Sequence, residues 1–248
     1  MSGHSKWATT KHKKGATDAK RGKLFTKLIK EITVAARMGG GEPKNNPRLR
    51  KAIDDAKGQQ MPADTIKRAV QRGTGELEGA NYEEILYEGT GPGGTLFLVE
   101  AMTDNRNRTV AELRKMFERH NGALGSSGTA AWAFDRKGML TVAKADATED
   151  QLMETAVAAG ADDYSDDGEE WLILCDPTSL EAVSKSLEDA KIAAKSKLGY
   201  VPKTKREVSG RDAELCLNLE DALDDYDDSQ NVFADYDVSD EEMTRIAG

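Results

Sequence analysis

The sequence predicts an α+β protein of several small domains, with a helical bundle at the N-terminus and small layered sheets after it. Three observations predict this. Apolar residues recur with a helical period from about residue 18 to residue 73, and from Tyr82 onward β-rich runs alternate with amphipathic helices. Charge divides at the same place: up to Gly75 there are 18 basic and 6 acidic residues, a balance of +12, whereas the remainder holds 17 basic and 38 acidic, a balance of -21. Finally, 248 residues with 38% hydrophobic and 32% charged content are more easily built as several small cores than as one large one.

The first thirty residues carry nine Lys or Arg against one acid, Asp18. Residues 2–16 mix Lys, His, Ser, Thr and Gly around a single large apolar side chain, Trp7, and form no core alone. From about Asp18 to Met38, Leu24, Phe25, Leu28, Ile29, Ile32 and Ala36 make one helical face. Lys20, Lys23, Lys27 and Lys30 make a second stripe displaced from it. Gly39–Gly41 ends this helix. Asn46 followed by Pro47 reads as an N-cap with proline at the first helical position, opening a helix to about Lys57 that buries Leu49, Ile53 and Ala56. A third helix follows Met61-Pro62, with Ile66, Ala69 and Val70 inward, and stops at Gly73.

Beyond Thr74–Ala80 the pattern changes. Tyr82–Glu88 and Thr95–Met102 read as strands joined by a glycine-rich hairpin turn. Gly89, Gly91 and Gly94 match the dinucleotide-binding string, but a strand follows where that motif needs a helix. Arg106–His120 reads as a helix, and Ala130–Asp135 and Met139–Ala143 as strands around a turn at Lys137-Gly138. Thr148–Ala159 reads as a helix, Trp171–Cys175 as a strand, Ser179–Ala190 as a helix and Tyr200–Val208 as an extended edge. A helix around Leu215–Leu223 and a strand at Asn231–Asp235 follow. The acidic runs at Asp162–Glu170 and Glu220–Asp228 read as solvated faces and lack calcium-loop spacing.

Composition excludes several classes. No apolar run approaches the roughly 18 residues of a membrane span. Cys175 and Cys216 form no framework, as expected in a reducing compartment. The Lys-rich start runs directly into a patterned helix, unlike an Arg-rich removable leader, so it reads as mature sequence and the expected location is cytoplasmic. His4, His12 and His120 are too dispersed for a metal site, and no cofactor motif remains. No nucleophile elbow, P-loop or Cys/His pairing occurs, so the protein reads as non-enzymatic.

What remains is polyanion binding at one end. Lys6, Lys11, Lys13, Lys14, Lys20, Arg21, Lys23 and Lys27 are the expected phosphate contacts, and Trp7 the expected stacking residue. The glycine-rich Gly39–Asn46 stretch is too long for the tight turn of a helix-turn-helix, so sequence-specific base reading does not follow from this region; backbone or shape recognition fits equally well, and so does structured RNA. In Thr103–Thr109, Asp104 or Asn105 can cap the following helix. Arg106 and Arg108 would then lie in its first turn, as a second candidate anion site or as a structural salt-bridge cluster.

GHSKWATTKHKKGATDAKRGKLFTKLIKEITVAAR (Gly3–Arg37), NNPRLRKAIDDAKGQQMPADTIKRAVQRGTGELEG (Asn45–Gly79), YEGTGPGG (Tyr87–Gly94), TDNRNRT (Thr103–Thr109) and GTAAWAFDRKG (Gly128–Gly138) closely resemble the YebC/PmpR family, whose mitochondrial members are translational activators of cytochrome oxidase. The resemblance spans the chain and is densest up to about Gly138. It implies an N-terminal three-helix domain (1–78) followed by two small ferredoxin-like α/β domains. The second comprises 79–135 and 207–248, and the third, 136–206, is inserted in it. It further implies a DNA-binding transcriptional regulator or, alternatively, a translation factor on the ribosome that binds rRNA through the basic domain. An adaptor that binds protein through its acidic domains is a third expectation.

Overall fold

The computed structural model describes residues 18–247. The basic arm expected over residues 2–16 lies outside them. Three helices come first: α1 (Asp18–Gly39), α2 (Pro47–Gly58) and α3 (Ala63–Thr74). Helix α1 is the axis, and α2 and α3 both pack against it. Their core is Ile32, Ala35, Ala36, Leu49, Ala52, Ala56, Met61, Ile66 and Ala69. Asn46 is the expected cap and does more than cap. Its Oδ1 accepts from Leu49 N at 3.1 Å, while its Nδ2 donates to the carbonyls of Ala35 at 2.8 Å and Gly40 at 2.9 Å. One buried amide thus satisfies the end of α1 and the start of α2 together.

Helix α3 runs past Gly73 and stops at Gly75, which adopts φ 81° and ends it in the left-handed region. Gly73 serves another purpose. A Cβ there would lie 2.4 Å from the Thr33 carbonyl oxygen and 2.7 Å from Ala36 Cβ, so its absence sets how closely α3 crosses α1.

The first sheet contains β1 (Glu83–Thr90), β2 (Leu96–Thr103), β3 (Ala123–Leu124) and a strand from the far end of the chain, Ser229–Ala234, in the order β3-β1-β2 and then that strand. All its pairings are antiparallel. Helix α4 (Arg106–Arg119) lies between β2 and β3 in sequence. The second sheet is built before the chain returns. It uses β4 (Phe134–Ala143), a short helix α5 (Glu149–Leu152) continued by a π-type turn (Met153–Val157), β5 (Ala161–Asp167), β6 (Glu170–Cys175), α6 (Leu180–Asp189) and β7 (Ala194–Pro202). Its order is β5-β6-β4-β7, antiparallel throughout. This βαββαβ succession with the first strand central is the ferredoxin-like arrangement. A short strand β8 (Arg206–Glu207), helix α7 (Gly210–Asp224), β9 (Ser229–Ala234), β10 (Tyr236–Asp237) and α8 (Asp240–Ala247) finish the chain.

Both faces of the first sheet are covered. Phe97 and Val99 of β2 pack with Leu113 and Phe117 of α4 and with Ala213, Cys216, Leu217, Leu219 and Leu223 of α7. Phe97 meets Phe117 edge to face at 6.0 Å. On the other face, Leu96, Leu98 and Phe233 meet Ala130, Ala133 and Phe134, with Tyr200 packed alongside. The two sheets are therefore joined through β9, β4 and β7. The second sheet has its own core around Leu140, Val142, Leu152, Ile173, Val183 and Leu187.

Three expectations about elements are corrected. Lys137-Gly138 is no turn; β4 runs straight through it as one ten-residue strand. Gly138 is there because a Cβ would sit 2.6 Å from Cys175 Sγ and 3.1 Å from Leu180. The Asp162–Asp167 run is the edge strand β5, where exposed acids discourage further strand pairing. The extended segment expected at Tyr200–Val208 starts earlier, at Ala194, and Pro202 is its last residue on an edge strand.

A substitution at Gly73 tests the close helix crossing. Gly to Ala inside a helix ordinarily stabilises by roughly 1 kcal/mol. Here Gly73→Ala is expected to destabilise by about 1–3 kcal/mol, because the methyl group overlaps the α1 backbone. Urea unfolding reads the sign directly, and a stabilised variant would refute this account of the crossing.

Candidate nucleic-acid interface

The lysine stripe of α1 faces the end of α7 and the loop after it. Lys23 Nζ lies 3.3 Å from Asp225 Oδ2, and Lys27 Nζ donates to Asp224 Oδ1 at 3.1 Å and to the Asp224 carbonyl at 2.8 Å. Lys30 lies deepest, 5% exposed. Its ammonium donates to Asp228 Oδ1 at 2.6 Å, to the Asp227 carbonyl at 2.7 Å and to the Met102 carbonyl at 3.2 Å, which occupies all three of its protons.

Asp228 is 3% exposed and collects donors from four segments. Besides Lys30, its Oδ2 accepts from Thr109 Oγ1 at 2.8 Å, Arg108 Nη2 at 2.9 Å, Tyr226 OH at 3.0 Å and Thr103 Oγ1 at 3.2 Å. Burial works against its charge. The hydrogen bonds from Lys30, Arg108 and Thr109 outweigh burial and hold the Asp228 carboxyl well below the ordinary carboxylate range.

The Thr103–Thr109 segment supplies three of those donors. Asn105 caps α4, accepting from Arg108 N at 3.1 Å. Arg108, in the first turn, does share an anion with its surroundings, and the anion is Asp228 of the same chain; the same Nη2 also lies 2.9 Å from Asp104 Oδ1. Arg106 points elsewhere, is largely exposed, and lies 3.8 Å from Glu83. The structure therefore separates the two arginines.

A second polar joint holds the helical bundle to β1. Arg48 grips Glu31 with Nε and Nη2 at 2.7 and 2.9 Å, and Glu84 with Nη2 and Nη1 at 2.6 and 3.1 Å. Arg37 donates to Asn81 Oδ1 and to the Tyr82 carbonyl.

Of the expected phosphate contacts, Lys6, Trp7, Lys11, Lys13 and Lys14 lie outside the described residues, as does the side chain of Lys20. Arg21 is exposed on the first turns of α1. Lys23 and Lys27 are engaged by the acidic loop. On the outer surface of the bundle, Lys44, Arg50, Lys67 and Arg68 are exposed. Among the described residues they make no ion pair. These four form no run in the sequence, so no local signal sets them apart. Lys23 and Lys27, by contrast, pair with Asp225 and Asp224 of the body.

Another buried carboxylate is caged without any cation. Glu88 at the end of β1 is 5% exposed, and accepts backbone N–H bonds from Gly128 at 2.9 Å, Ala130 at 2.6 Å and Ala131 at 2.8 Å. Burial opposes its charge, but these three donors prevail and the carboxyl stays below its usual value. Glu88 thereby fixes the Gly128–Ala131 loop, in which Ala131–Ala133 forms a single 3-10 turn leading into β4.

These features define a multidomain α+β protein in which a basic three-helix head is clamped by charge onto an acidic two-sheet body. Residues 5–76 match the model of the TACO1/YebC protein N-terminal domain, and residues 82–236 match that of the TACO1/YebC second and third domain. The chain belongs to the TACO1/YebC family.

Its similarity to relatives runs the full length. "Probable transcriptional regulatory protein GSU1074" of Geobacter sulfurreducens is 54% identical, covering 99% of this chain and 100% of that protein. A "probable transcriptional regulatory protein" of Chloroherpeton thalassium is 55% identical over 99% of each. The crystal structure of the conserved hypothetical protein Aq1575 from Aquifex aeolicus is 42% identical and superposes with a TM-score of 0.85, covering 90% of this chain and 93% of that one.

The Asp228 cage makes a pH prediction. A carboxylate with a lowered folded pKa contributes stability above its unfolded value, about 3.9, and that contribution is lost as pH falls toward the folded value. Asp228→Asn keeps the shape but leaves Lys30 buried without its counter-charge, so it is expected to cost about 3 kcal/mol at neutral pH. The gap to the wild type should narrow from about pH 5 downward. Urea titrations across that range check it, and a gap independent of pH would contradict the assignment.

Proposed function

We propose that this protein is a nucleic-acid-binding regulator of gene expression, and that its N-terminal segment and the outer surface of its helical bundle hold duplex DNA by the phosphate backbone. The observation that carries the reading is how charge is distributed once internal pairing is counted. The body's acids engage Lys23, Lys27 and Lys30, whereas Lys44, Arg50, Lys67 and Arg68 face solvent on the same basic domain as the arm. The rest of the chain carries -21 and repels a polyanion, which favours approach from the basic side. The relatives' printed description as probable transcriptional regulatory proteins agrees with a regulatory outcome. Lys6, Trp7, Lys11, Lys13, Lys14, Lys20 and Arg21 are the proposed arm contacts. Lys23 and Lys27 can join them only by leaving Asp225 and Asp224.

A second reading, rRNA on the ribosome as the partner, is favoured by one observation. The connection from α1 to α2 spans Gly40–Asn46, and the cationic side of α1 is docked on the body, so α1 is not presented as a recognition helix. Shape and phosphate recognition suit structured RNA as well as DNA.

Each phosphate contact adds about 0.9 to the slope of log affinity against log salt on duplex DNA. Replacing Arg50, Lys67 and Arg68 by Ala is expected to lower that slope by about 2–3. Deleting residues 1–17 should weaken binding at least about tenfold at moderate salt, since several further phosphate contacts go with them. Fluorescence anisotropy at several salt concentrations, with duplex DNA and ribosomal RNA fragments as separate probes, measures both effects. An unchanged slope and affinity in both variants would sink the proposed surface, and a preference for the RNA fragments at equal length would favour the second reading.

A further inference from the structure

Trp132 is the unexplained residue of the body. Its side chain is 67% exposed although it lies at the junction of the two sheets, between buried Ala130 and buried Ala133. An indole so placed gains little from burial, and everything beneath it is built to hold it still. Its Nε1 donates to the Thr129 carbonyl at 3.1 Å, which fixes the ring's direction. The backbone on its N-terminal side is locked by the Glu88 cage, and on its C-terminal side it enters β4. Lys203 joins the two sides of this joint: its N–H donates to the Ala133 carbonyl at 2.9 Å and its ammonium to the Trp132 carbonyl at 2.9 Å.

Lys203 belongs to a segment whose charge departs from that of the body. Residues 191–211 carry seven basic residues and one acid, Glu207, within the part of the chain whose balance is -21. Asp135, 3.7 Å from Lys203, and Asp235, 3.9 Å from Arg206, temper two of these cations. Lys205 between them is exposed and makes no ion pair among the described residues.

We propose that Trp132, with Lys203 and Lys205, forms a second nucleic-acid contact that stacks an unpaired base. The inference deepens the nucleic-acid-binding reading above and rests on it. Because the indole N–H is already satisfied, the ring offers its π-face rather than a hydrogen bond, and recognition by stacking tolerates any base. The neighbouring lysines supply the charge for the phosphates on either side of that base. A rigid aromatic loses little conformational entropy on binding, which is why the Glu88 cage belongs to the device although it touches no ligand. The occupant is a single-stranded or bulged segment, since a base inside an intact duplex cannot reach a side chain by stacking on its face.

The test compares two probes on the full-length protein: a blunt duplex, and the same duplex carrying a short unpaired bulge. Wild type is expected to bind the bulged probe about tenfold more tightly. Trp132→Ala should lose that preference while retaining affinity for the blunt duplex, and Trp132→Phe should restore most of it. Lys203→Ala with Lys205→Ala should reduce the preference and its salt dependence. Trp132 is exposed, so these variants leave the core intact, and unfolding curves matching wild type verify it. If wild type binds both probes and Trp132→Ala binds them as wild type does, the stacking site is refuted and the broader reading stands. If wild type binds neither probe, both fall together.

Discussion

A single buried carboxylate, Asp228, holds the architecture together. It is placed by the turn between α7 and β9, and its donors come from α1, the end of β2, the start of α4 and its own turn. A charge this deep is tolerated only with its partners in place, because removing one leaves another charge stranded away from water. The helical head, the first sheet and the returning C-terminal segment are therefore interdependent at that point. Hydrophobic burial stabilises each core separately. The relative placement of the head and body instead rests on directional bonds, here and at the Arg48 grip on Glu31 and Glu84.

That joint changes what the charge asymmetry means. A +12 head beside a -21 body suggests two surfaces facing apart, yet part of each charge is directed at the other. The acidic loop covers the inner side of α1 as a polyanion would. The cations left exposed are fewer than the composition implies, and Lys44, Arg50, Lys67 and Arg68 belong to the loop after α1 and to α2 and α3 instead of to the docked stripe of α1. Arg108 shows the same logic: its position in the first turn of α4 does serve an anion, and that anion is internal. The Glu88 cage is a variation in which backbone N–H groups alone hold the charge, and it stiffens a loop instead of joining domains.

Much of this fold is legible locally. Asn46-Pro47 announces a helix start, Asn105 a cap, and the stripe from Phe25 to Ala36 a helical face packed into the bundle core, because each signal is written within one or two turns, while Leu24 at the start of the same stripe is left exposed. What escapes local reading is decided by distant neighbours. Gly138 carries the chemistry of a turn, but Cys175 and Leu180 make it the tightly packed middle of a strand. The Asp162–Asp167 run lacks apolar alternation because an edge strand needs only part of its surface covered. Asp228 stands in an acidic run that resembles a solvated face, and nothing nearby distinguishes it from Asp227; Lys30, 198 residues away in sequence, makes the difference. For the same reason the lysine stripe of α1 is legible as a stripe while its partner is not.

The most direct test of this account is a double-mutant cycle between Lys30 and Asp228, read by equilibrium unfolding. Lys30→Met, Asp228→Asn and the double variant would be compared with wild type at neutral pH. If the ion pair is the joint between head and body, each single change is costly and the double change costs clearly less than their sum, with a coupling of about 2 kcal/mol or more. Additivity within about 0.5 kcal/mol would contradict it. The two groups would then be independent passengers of a joint held by something else.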